Sequence, residues 1–104
     1  MERATEMFVN YLKRKHDTAI DGAELIWEAI TMYQDEIDHE LFPIDNLERL
    51  PDPLLFLTTS YVDQDEQEWI FCIVTEEENV HRWFYVLCLK NGELVDKEIP
   101  LNFD

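Results

Sequence analysis

The side chains that could serve as nucleophiles or soft metal ligands are few: Cys72 and Cys88, with His16, His39 and His81. The histidines are isolated, without the i, i+4 pairs of a zinc-binding helix, and no Cys-x-x-Cys spacing occurs. Both cysteines fall inside apolar runs, where burial disfavours the thiolate that nucleophilic attack requires. If those runs pair as a hairpin, Cys72 lies opposite Trp83 or Phe84. That leaves roughly 13 Å or more to Cys88, which a disulfide does not span. Asp38-His39-Glu40 offers three ligand types in a row, but neighbours in a helix point to different sides and do not converge on one ion. Asp63-x-Asp65-Glu66-x-Glu68 resembles part of a calcium loop, yet it lacks the glycine of the sharp turn and the distal bidentate glutamate. With Gly22 and Gly92 as the only glycines, there is no glycine-rich phosphate loop. Among 24 acidic residues no carboxylate pair stands out for acid and base roles. The expectation is a protein with no catalytic residues, no metal and no cofactor, because spacing brings no nucleophile, base and oxyanion donor together.

Charge is more informative than any motif. The formal net charge is -16, and it is unevenly spread. Residues 1–16 hold four basic and two acidic side chains, residues 17–79 one and eighteen, and residues 80–104 three and four. A field of that sign opposes direct binding to nucleic acid or an anionic membrane, and favours a basic protein partner or simple solubility. No apolar run approaches the roughly 20 residues that cross a bilayer, and no signal-peptide pattern is present, so a soluble cytoplasmic protein is expected.

The elements that must carry these residues can be read from periodicity. A chain of 104 residues with 46% hydrophobic content makes one domain, 1–104. Residues 2–15 place Ala4, Met7, Phe8, Tyr11 and Leu12 at helical spacing, and the basic run Lys13 to His16 complements the carbonyls of a helix C-terminus. Asp21 followed by Glu24 has the form of a capping box, and predicts a second helix to about His39 with Ala23, Ile26, Trp27, Ile30, Tyr33 and Ile37 as its apolar stripe. Asp21, Glu24, Glu28, Asp35 and Asp38 would line its other side with no basic residue spaced to pair with them. Leu41 to Pro53 contains Pro43, Pro51 and Pro53 and reads as a connector, with Ile44, Leu47 and Leu50 tucked under the sheet. Leu54–Val62 is the first strand, and Asp63 to Gln67 a polar turn. Glu68–Glu76 and His81–Lys90 are central strands rich in aromatic and β-branched residues. Asn91-Gly92 suits a type I′ turn into a last strand, Glu93 to Ile99. The expected fold is α+β in the order ααββββ, two N-terminal helices packed on one face of a four-stranded antiparallel meander.

A two-residue turn at Asn91-Gly92 sets Lys90 opposite Glu93. Continued along the strands, that register puts Phe84, Val86 and Cys88 with Val95 and Ile99 on a core face. Trp83, Tyr85, Leu87 and Leu89 fall on the other face with Leu94, Asp96 and Glu98. The second face mixes aromatic residues and acids, the composition of an interaction surface. The functional expectation is a non-catalytic acidic protein–protein interaction module that forms a homodimer through Trp83, Tyr85 and Leu87. One alternative is an inhibitor or immunity-type protein. In it Asp21, Glu24, Glu28, Asp35 and Asp38, with Glu76 to Glu78, imitate phosphates toward a basic nuclease or DNA-binding protein. The other is a small-ligand-binding domain that uses the aromatic sheet face.

Overall fold

A computed structural model describes residues 2–40, 47–97 and Ile99. Helix α1 (Glu2–His16) is followed by five strands, β1 (Glu28–Met32), β2 (Leu54–Val62), β3 (Glu68–Glu76), β4 (Asn79–Lys90) and β5 (Glu93–Asp96). The strands form one antiparallel sheet in the order β1-β2-β3-β4-β5. Single 3-10 turns occupy Gly22–Glu24, Gln34–Glu36 and Leu47–Arg49. The expectation of two helices and four strands is therefore corrected to one helix and five strands among the described residues.

The error lies between Asp21 and His39. Asp21 does cap a helical turn, its carboxylate accepting from Ala23 N–H at 2.9 Å, but the turn ends at Leu25, which is already extended. Ile26, Trp27, Ile30, Thr31 and Tyr33 are β-branched or aromatic and gain little from continuing a helix. As a strand, β1 instead pairs with β2 from Glu28↔Thr58 to Met32↔Leu54. The residues that made a helical stripe, Ile26, Ile30 and Tyr33, are left exposed by 77%, 47% and 54%.

One side of the sheet is covered by α1, whose Ala4, Met7, Phe8, Tyr11 and Leu12 are all buried. They pack on Leu57, Phe71, Ile73, Val86 and Cys88, with Phe8 stacked on Phe71 at a centroid distance of 4.6 Å. Each large side chain so buried contributes about 1.5–3 kcal/mol. Helix α1 ends at Asp17, which adopts a left-handed φ of 50° and lets Thr18 N–H donate to Leu12 O. The opposite side is closed by connecting chain. Ile37 and Leu47 are buried on Leu54, Phe56, Cys72, Val74 and Leu87, and Met32, Leu50, Phe84 and Tyr85 flank them. Leu47 and Leu50 lie under the sheet as the connector reading required, whereas Pro43, Ile44 and Glu98 lie outside the described residues.

Two irregularities revise the expected register. Lys90↔Glu93 and Leu89↔Leu94 pair as a two-residue turn demands, with Asn91 and Gly92 both at positive φ, but the next pair is Cys88↔Asp96. Val95 is the extra residue. It is 43% exposed instead of joining the core, and Asp96 turns toward α1. In the β3–β4 pair, Val74↔Tyr85 is followed by Thr75↔Trp83, so Phe84 is extra and Trp83 is carried to the helix side. Cys72 is opposite Leu87, not Trp83 or Phe84, and points away from Cys88 across the sheet.

Candidate functional site

Strand β1 is the outermost strand on its side of the sheet, and Glu28, Ala29, Ile30 and Thr31 are all exposed. Its entry is fixed by the buried Thr59 hydroxyl, which donates to Ile26 O at 2.9 Å, and by the Trp27 indole N–H, which donates to Thr5 Oγ1 at 2.9 Å. Its exit is fixed by the turn at Gln34–Glu36, where Tyr33 N–H donates to Glu36 Oε1 and Gln34 N–H to Asp52 Oδ1. The strand is thus held at both ends, and among the described residues it pairs on one side only, with β2. Beside it lies a cleft of about 350 Å³ lined by Glu24, Ile26, Glu28, Thr58, Ser60 and Ile70. Carboxylates, hydroxyls and isoleucine side chains in that order suit a cationic group on an aliphatic stem.

Acid dominates this region. From Ile20 to Glu40 there are seven Asp and Glu residues and no Lys or Arg. Asp21 and Glu24 lie at the first 3-10 turn, Glu28 on β1, Asp35 in the second turn and Asp38 just after it. The five candidate acids therefore follow the sheet edge and the turns flanking it. They do not form a row along a helix, because there is no helix to align them.

The sheet-face candidates are split. Leu87 is buried at 1% exposure beneath Ile37 and Leu47, and Tyr85 is half-buried on that same side. Trp83 lies on the opposite side, packed against the α1 cluster, with its indole N–H donating to Val80 O and the Arg3 guanidinium 4.4 Å above its ring. Trp83, Tyr85 and Leu87 accordingly share no surface.

A buried polar group sits at the C-terminus of α1. Tyr11 Oη is 3.1 Å from His16 Nε2 and donates to Asp96 Oδ2 at 3.4 Å, and the His16 ring packs on Trp69 at 4.7 Å. Burial, then Cys88 and Asp96, raise the Tyr11 phenol well above its usual value. Burial and then Lys90 lower His16. Burial pushes the thiols of Cys72 and Cys88 up to about 12, so both are held as thiols, unsuited to attack. Among the described residues no three His, Cys, Asp or Glu side chains are grouped to hold a metal ion. Nor is any helix among them long and apolar enough to cross a membrane.

No protein-family model, curated protein sequence or solved structure matches the chain. Helical spacing predicts a helix over β1 and so conceals the edge strand. The available signal was the β-branched and aromatic content of Ile26 to Tyr33, which outweighed a helical spacing of the same residues.

Proposed function

We propose that this protein is a non-catalytic acidic interaction module that binds a basic protein partner. The observation that supports this reading is the coincidence, between Ile20 and Glu40, of seven acids, no Lys or Arg, and three exposed large apolar side chains. Acid alone would serve solubility, but exposed Ile26, Ile30 and Tyr33 do not. Together they offer a partner both long-range attraction and an apolar contact on arrival. A basic nuclease or DNA-binding protein is one such partner, and an inhibitor of that kind would use the same acids. Self-association through Trp83, Tyr85 and Leu87 loses its support, since the three side chains are divided between the two sides of the sheet.

Affinity capture at low and high salt, with the protein and its Glu24→Lys/Glu28→Lys variant, tests the reading. Both residues are exposed, so the fold tolerates the change. A partner held at low salt, released at high salt and lost on charge reversal is expected. Capture indifferent to both salt and reversal would refute the role of charge.

A further inference from the structure

We propose that the outer edge of β1 takes up an extended basic segment of a partner protein as a sixth strand. This rests on the reading of the molecule as an acidic interaction module and names the surface and the form of its partner.

The two edges of the sheet are treated differently. Strand β5 spans four residues, is interrupted by the register shift at Val95, and carries charge at Glu93 and Asp96 with Lys97 following. Those are the devices by which proteins keep an edge from pairing. Strand β1 carries one charge, the acidic Glu28, and no bulge. Its five residues pair with β2 without a shift, and it holds no proline, glycine, lysine or arginine. An unblunted edge presents a row of backbone donors and acceptors about 17 Å long, which an incoming strand can complete.

Charge decides what comes. A second copy of the chain would set -16 against -16, and that juxtaposition is repulsive. A strand that alternates basic and apolar residues meets Glu28 and Ile30, which share one side of β1 with the cleft between Glu24 and Ser60. The cleft then takes the ammonium or guanidinium group of one residue of that strand, while the backbone ladder supplies the rest of the contact.

The probe is a synthetic nonapeptide alternating lysine and valine, titrated into isotopically labelled protein at low salt and followed by NMR. Two derivatives carry N-methyl groups on one or the other alternate set of amides. Shift changes concentrated at Glu28 to Met32 are expected, with binding lost at least tenfold for one N-methyl set and kept for the other. Ile30→Lys, at an exposed position, should weaken the parent peptide by a similar factor. Equal effects of the two N-methyl sets, or shifts spread over all the acids, would show attraction without strand pairing and overturn this inference while leaving the acidic module intact. Shifts at β1 that grow with protein concentration before peptide is added would give the edge to a second copy and overturn it too. No binding of the parent peptide at low salt would overturn both readings.

Discussion

The indole N–H of Trp69 donates to Asp63 Oδ2 at 2.9 Å, which ties a tryptophan only 2% exposed to the first residue of the β2–β3 turn. The same carboxylate accepts from the backbone N–H groups of Asp65 and Gln67 through Oδ1. One side chain thus organises the turn and closes the end of the core.

Asp63→Ala should lower the urea midpoint of unfolding, because it leaves the Trp69 indole N–H without its acceptor. Asp63→Asn keeps an acceptor oxygen and should lose less. Donation from Trp69 and from the turn amides holds the Asp63 carboxyl below its usual value. A depressed folded value means that its contribution is present above about pH 4 and is lost as pH falls through the folded pKa. Acid unfolding curves of the protein and of Asp63→Asn should therefore converge at low pH.

His16 titrates in a separate window. Its folded pKa is lowered, by burial first and Lys90 second, so the neutral ring is the one the fold favours. That stabilisation is complete above about pH 6.5 and is lost as pH falls through the folded value. Thermal melts from pH 8 to pH 5 should show a declining midpoint that is flatter in His16→Phe. An unchanged slope in the variant would assign the decline to other groups.

Phe71 and Phe56 belong to different cores on the two sides of the sheet, and both are almost completely buried. Each Phe→Ala change should cost about 3–5 kcal/mol in urea unfolding. A much smaller value for Phe56→Ala would mean that Ile37 and Leu47 cover that side only loosely.

Trp83 packs on the α1 cluster with the Arg3 guanidinium over its ring. A double-mutant cycle with Arg3→Ala and Trp83→Ala should give a coupling of about 0.5–1 kcal/mol for the cation over the ring. Thermal stability of the four proteins measures it, and zero coupling would reduce the stacking to mere proximity.

The strands at Leu54–Val62 and Glu68–Glu76 could be read to the residue because polar turns bound dense aromatic and β-branched runs, and Asn91-Gly92 announces its hairpin by backbone preference alone. Two things were hidden. Ile26, Ile30 and Tyr33 satisfy helical spacing, and only the availability of β2 as a pairing partner makes the segment a strand. The extra residues Phe84 and Val95 were hidden too, since a bulge leaves no mark in the pattern, yet each moves the next residue, Trp83 or Asp96, to the other face, while Ile99 still packs with Val86 and Cys88 as expected. Those two slips dispersed Trp83, Tyr85 and Leu87, and carried Asp96 to Tyr11.

Helix α1 shuts its side of the sheet as a rod with its own ladder of hydrogen bonds. The cover over Phe56 is assembled from short 3-10 turns and holds its shape through Ile37, Leu47 and a Gln34 amide bonded to Leu47 O and Leu50 O. Such a cover can lift while the rod stays seated. Local opening is expected to cost less on that side than on the helix side, and strand β1 leads directly into it.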